Sequence, residues 1–155
     1  MKNKLLLLSF FLSITFGFAQ NNSIWQKQPA AQSTLVKQSK QHLPSNQVYG
    51  LNLQAMLQVL SNAPERGKFS GQSNVIVSFP NSDGGFEQYR IIETPILHPN
   101  LEAEYPGIKS YAGQSMTTPS TIIRFSVSPQ GLSSMKLAAD SKATIIEPFT
   151  HDLRQ

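Results

Sequence analysis

Between Asn74 and Ile92 the chain alternates with a period of two around a run of turn formers. Val75, Val77 and Phe79 alternate with Ile76, Ser78 and Pro80. Pro80-Asn81-Ser82-Asp83-Gly84-Gly85 follows, and Phe86-Glu87-Gln88-Tyr89-Arg90-Ile91-Ile92 returns. Asp-Gly and Gly-Gly supply the positive φ values that tight hairpins require, so this stretch is predicted to be a β-hairpin. A hairpin cannot bury its apolar face alone, which commits the rest of the chain to supplying further strands or a helix.

Both appear along the sequence. Leu53, Met56, Leu57 and Leu60 fall at the i, i+3, i+4, i+7 spacing of an amphipathic helix over about residues 52–62. Asn52 is its predicted N-cap, and it must stop by Pro64, because proline disfavours a helical residue before it. The leucine stripe reads as core. Pro99 to Tyr105 reads as a short helix, stopped by Pro106, with Gly107 permitting the reversal. Ile108–Ala112, Ile122–Val127, Leu132–Ala138 and Ala143–Ile146 read as strands. Gly113–Ser120 reads as a loop, with turns at Pro129-Gln130-Gly131 and Asp140-Ser141. The expected fold is α+β: an antiparallel sheet of about six strands, built from hairpins and meander connections, with one main and one short helix.

The ends read differently. Lys2 and Lys4 precede a nearly unbroken apolar run, Leu5 to Phe18, and Gly17-Phe18-Ala19 offers small residues where a signal peptidase reads. This is the pattern of a secretory signal peptide over residues 1–19, with cleavage expected between Ala19 and Gln20. The run is about 14 residues, short of the ~20 that a spanning helix needs, so no membrane association is expected after cleavage. Gln20 to Gln47 is rich in Gln, Ser, Asn and Lys and reads as a mobile polar lead-in. Trp25 and Leu35-Val36 are its residues available for docking, Trp25 as a packing residue. The folded domain is expected over residues 48–150, with a short tail at 151–155.

Composition excludes whole classes of chemistry. The chain has no cysteine, which removes disulfides, thiolate nucleophiles and thiol ligands to zinc. Of 13 basic residues two leave with the leader, so 11 face 9 acidic ones. Such a balance is no nucleic-acid footprint. His42, His98 and His151 lie far apart, and none has a partner three or four residues away. A site from His98, Glu102 and His151 is disfavoured because Pro99 interrupts the local pair, whereas zinc wants converging ligands from one element. Asp83 and Glu87 read as a turn residue and a solvated strand residue. Ser126 and Ser128 have no base nearby in sequence. The run Asn81–Gly85 has too few regularly spaced oxygens for calcium. No catalytic, cofactor-binding or metal residue is therefore assigned.

A series of residues resembles the N-terminal pro-region of secreted bacterial reprolysin-like (adamalysin-type) zinc metalloproteases. Leu51-Asn52, Leu57, Leu60 and Ala63-Pro64 are similar to its opening helix and exit. Val75-Ile76-Val77-Ser78-Phe79-Pro80, Asp83-Gly84 and Phe86 are similar to its strand and turn. Glu93, Ile96-Leu97, Pro99, Leu101, Tyr105-Pro106-Gly107-Ile108-Lys109-Ser110-Tyr111 and Gly113 match its most recognisable stretch. Ile123-Arg124-Phe125, Pro129-Gln130-Gly131 and Ile145-Ile146-Glu147-Pro148-Phe149 match the remaining strands. The resemblance spans Val48 to Phe149, and its specificity lies in the order and spacing of many weak motifs.

The resemblance implies a non-catalytic pro-domain that assists folding of a protease domain or masks it. The His-Glu-x-x-His-x-x-Gly-x-x-His motif of the protease itself is not in this sequence, and zinc is expected only in a catalytic domain beyond it. The chain thus reads as a precursor cut short. Its expected partner is the protease domain of the same precursor or of a relative. It is expected to be a monomer, exported to the periplasm or the cell exterior. The corner Tyr105-Pro106-Gly107 and the segment after Phe149 are the candidate contacts, although Tyr105 serves equally well as a cap on its own sheet. With no cysteine to silence a zinc, inhibition has to be steric or to use a carboxylate or histidine. The alternative is a free-standing exported adhesion or binding module presenting Phe79, Phe86, Tyr89 and Phe125.

Overall fold

The computed structural model describes residues 24–28, 47–139 and 141–148. The leader with its Ala19–Gln20 junction, Leu35-Val36, His42 and the tail from Phe149 onward, with His151, lie outside the described residues. In chain order the elements are β1 (Trp25–Gln28), β2 (Val48–Leu51), α1 (Leu53–Leu60), β3 (Ile76–Pro80), β4 (Phe86–Glu93), α2 (Pro99–Glu104), β5 (Lys109–Ser115), β6 (Ile122–Ser128), β7 (Gly131–Ala138) and β8 (Ser141–Ile146). The six strands β3 to β8 form one antiparallel sheet in sequence order, and β1 pairs with β2 in a separate two-stranded sheet. The α+β class with a meandering antiparallel sheet is as the sequence predicts.

The hairpin forms with Pro80 opposite Phe86 and Val77 opposite Tyr89. Its turn closes through Asn81 N–H to Gly85 O at 2.8 Å, and Gly84 takes φ +88°, which an L side chain resists. The Asp83 carboxylate accepts from Gly85 N–H, the local bond that makes Asp a turn residue. The helix α1 begins as predicted, with the Asn52 side chain accepting from Ala55 N–H at 3.0 Å. Its buried residues are Met56 and Leu60, one edge of the leucine stripe, whereas Leu57 is 43% exposed.

Two expectations change. The stretch read as lead-in contains β1, and Trp25, read as a packing residue of that stretch, is a buried member of the core. The stretch read as a loop from Gly113 begins as the continuation of β5 through Ser115. Gly113 stands opposite Ile91 on one side and Ile123 on the other. A Cβ there would meet Ile91 Cδ1 at 2.7 Å and Ile123 Cγ2 at 2.8 Å. This glycine is a site of close approach inside a strand rather than a loop signal.

Directly paired residues share a face, so Val77, Tyr89, Ile91, Ile123, Phe125 and Leu132 lie on one side of the sheet. That side is concave and carries the core, closed by Ile24, Trp25, Met56 and Leu60. The curl is severe. Lys136 on β7 and Glu87 on β4 are three strand steps apart, about 14 Å in a flat sheet, yet their charged atoms meet at 3.2 Å. Phe79 joins the two sides of the curl, touching Tyr89, Phe125 and the Trp25 ring at centroid distances of 5.9, 5.0 and 5.8 Å.

Candidate functional site

The connection from β4 to β5 holds the candidate corner Tyr105-Pro106-Gly107, and its construction is unusual for a helical segment. It leaves the sheet at buried Thr94, whose N–H donates to Ser110 O at 2.8 Å. His98 caps α2, its ring Nδ1 accepting from Asn100 N–H at 3.4 Å, and Pro99 occupies the first helical turn, where a missing N–H costs nothing. Tyr105 N–H closes the helix onto Leu101 O, and Ile108 N–H returns to Tyr105 O. Gly107 lies against the β6–β7 turn; a Cβ there would meet Pro129 at 3.3 Å.

This segment is held by charge and backbone hydrogen bonds, with no apolar anchor in α2. The Lys109 ammonium donates to Glu93 at 2.8 Å and to Glu102 at 2.9 Å, tying α2 to the sheet. The hydrogen bonds from these two carboxylates raise the Lys109 pKa above its ordinary value. None of the α2 residues is buried. Ile96 is 74% exposed, Tyr105 50% and Leu101 45%, so three large apolar side chains point outward from one short connection. Tyr105 is half exposed rather than buried as a cap on the sheet. Such an arrangement offers contact area.

A second polar cluster, which no local sequence pattern announces, sits on the concave face. Glu87 accepts from Ser115 Oγ at 2.6 Å, from the Tyr89 hydroxyl at 2.8 Å and from Lys136 at 3.2 Å. Lys136 also donates to Asn81 Oδ1 at 2.8 Å, and Ser115 Oγ accepts from the N–H groups of Thr117 and Thr118. Glu87 is therefore turned inward, with 12% of its side chain exposed, and is no solvated strand residue. Burial pushes its pKa up, but the bonds from Ser115, Tyr89 and Lys136 outweigh burial and leave it below the ordinary carboxylate value. Burial, and then the hydrogen bond to Glu87, raise the Tyr89 phenol; burial and the nearby Glu93 charge push Tyr111 up to about 12.

The cluster is saturated. Ser115 spends its proton on Glu87 and its lone pairs on two backbone N–H groups, so it is poorly placed to act as a nucleophile. Its evident work is to clasp β4, β5, β7 and the β3–β4 turn together. Ser128 is occupied similarly at its own turn, accepting from Gln130 N–H. Among the described residues no group of three or more His, Cys, Asp or Glu side chains is close enough to hold a metal ion. His98 is exposed and Glu102 is engaged by Lys109. Phe79, Tyr89 and Phe125 are core residues, which withdraws three of the four aromatics from any ligand face; Phe86 is 50% exposed against Tyr49.

The chain matches no protein-family model, and comparison with curated proteins and with solved structures returns no match.

Proposed function

We propose that this chain is a non-catalytic, exported pro-domain of a secreted zinc metalloprotease precursor, which assists folding of the protease domain or masks it. One observation carries the reading. The β4–β5 connection, where the resemblance to reprolysin-like pro-regions is densest, directs Ile96, Leu101 and Tyr105 outward from a helix that buries nothing of its own. A segment that contributes so little to its own core, yet is pinned by Lys109 in a defined pose, suits contact with a partner. The partner on this reading is the protease domain of the same precursor or of a relative, and any zinc belongs to that domain.

The test is addition in trans. The exported chain, from Gln20 onward, is mixed with the isolated protease domain of a secreted reprolysin-like enzyme during refolding and again during peptide cleavage. A raised refolding yield or a lowered cleavage rate is expected. The pair Leu101→Asp and Tyr105→Ala should abolish either effect while leaving the circular dichroism spectrum intact. Unchanged yield together with unchanged rate would sink the reading.

A further inference from the structure

A second apolar surface lies on the convex side of the sheet, away from the core. Ile122 stands opposite Leu137, and Met135 opposite Ile145, across β6, β7 and β8. These side chains are 38%, 42%, 44% and 55% exposed, a contiguous block on the outer face. Arg124, opposite Met135, is exposed within it, and its guanidinium makes no ion pair or hydrogen bond among the described residues. An Arg set among Met and aliphatic side chains is the make-up of a protein-contact centre.

The complementary surface is on the same chain. The α2 corner presents Ile96, Leu101 and Tyr105 beside Glu104, whose exposed carboxylate is likewise without an ion pair or hydrogen bond among the described residues. The two surfaces cannot satisfy each other within one molecule. Lys109 pairs with Val127 at the end of β5–β6 where the corner arrives, whereas Ile122 pairs with Gln114 at the other end. The five residue steps from Ile122 to Val127 separate the two ends by about 16 Å along the strand.

The geometry points to head-to-tail self-association. The α2 corner of one copy docks on the convex β6–β8 face of a second, with Glu104 paired to Arg124 inside an apolar contact. Two different patches meet in such a contact, so it is heterologous and propagates beyond a dimer unless the rotation closes a ring. This departs from the monomer expected from the sequence, and it stands whether or not the corner also meets a protease.

Sedimentation velocity of the exported chain over a range from micromolar to several hundred micromolar tests it. The average mass should rise with concentration and pass that of a dimer. Arg124→Glu and Glu104→Arg should each weaken the apparent dissociation constant about tenfold or more, because like charges then face each other. The two reversals together should restore it to within about threefold, since each tenfold step is ~1.4 kcal/mol and the pair is re-formed. Met135→Asp, which leaves both charges in place, should weaken association as well, and circular dichroism checks that every variant keeps its fold. A single-chain mass at all concentrations would overturn the inference. So would association untouched by either single reversal, the result expected if copies pair through the edge strand β8. Failure of the double reversal to restore association would overturn the charge pairing at its centre.

Discussion

Glu87 shows how a single side chain closes this sheet. Its carboxylate is the one acceptor shared by Ser115, Tyr89 and Lys136, so the bonds that curl the sheet converge on one ionised group. Its pKa in the fold lies below the ordinary value of 4.5. A depressed carboxylate contributes stability that is present above its unfolded pKa and is lost as pH falls through the folded one. Denaturant midpoints should therefore hold steady near neutrality and drop as pH falls below about 4.5. Replacing the carboxylate by an amide in Glu87→Gln leaves the Lys136 ammonium poorly compensated in a site where it is 17% exposed. We expect a loss of about 2 kcal/mol at pH 7. The variant should also lose less stability than the parent between neutrality and pH 3. An acid limb as steep in Glu87→Gln as in the parent would assign the pH dependence to other carboxylates.

Elements whose signal is local were legible. The Asp83-Gly84-Gly85 turn, the Asn52 cap with its leucine spacing, and the Pro99 start and Pro106 stop of α2 each depend on residues within one turn of one another. What escaped depends on distant partners. In β4 the apolar residues divide between the faces, Tyr89 and Ile91 against Phe86 and Ile92, so the pattern alone leaves the inward face open and Glu87 looked solvated. The strand β1 carries one large apolar residue and gains its strand character from pairing with β2 across a gap of 19 residues between Gln28 and Val48. Of the candidate site, the position of the corner was legible from Pro106-Gly107, but the outward set of Ile96, Leu101 and Tyr105 follows from the Lys109 ion pairs, which no local pattern encodes. Gly113 misled because a glycine required for close approach looks in sequence like one required for a turn. Gly113→Ala should therefore destabilise by about 1–3 kcal/mol through overpacking against Ile91 and Ile123. An Ala variant as stable as the parent in a urea titration would mean that β5 and its neighbours move apart without cost.

At the scale of the whole molecule the question is how a curled sheet manages its edge strand β3. Ile91 N–H bonds Val75 O, and Asn81 N–H bonds Gly85 O. The odd-numbered positions of β3 thus face β4, and by alternation Ile76, Ser78 and Pro80 present their backbone to the free edge. Pro80 has no N–H to offer, and Ser78 O accepts from the Trp25 indole at 2.7 Å, so the N-terminal strand guards that edge against pairing with another chain. Ile24 and Trp25 are also 2% and 6% exposed, core residues supplied from within a stretch whose composition reads as a linker. The folded unit accordingly begins before Val48. A chain starting at Val48 forgoes two buried side chains worth about 1.5–3 kcal/mol each and leaves the Ser78 carbonyl and the Phe79 ring uncovered. That is a large share of the ~5–15 kcal/mol by which a small domain is stable. Against the chain from Gln20, it should unfold at a much lower urea concentration or lose its cooperative transition, and should bind thioflavin T as β3 becomes available to other chains. Trp25→Phe in the longer chain, which keeps a ring and removes the indole N–H, should cost about 1–2 kcal/mol by stranding Ser78 O alone. Matching urea midpoints for the chains from Gln20 and from Val48 would place β1 outside the cooperative unit and leave the edge of β3 protected by Pro80 alone.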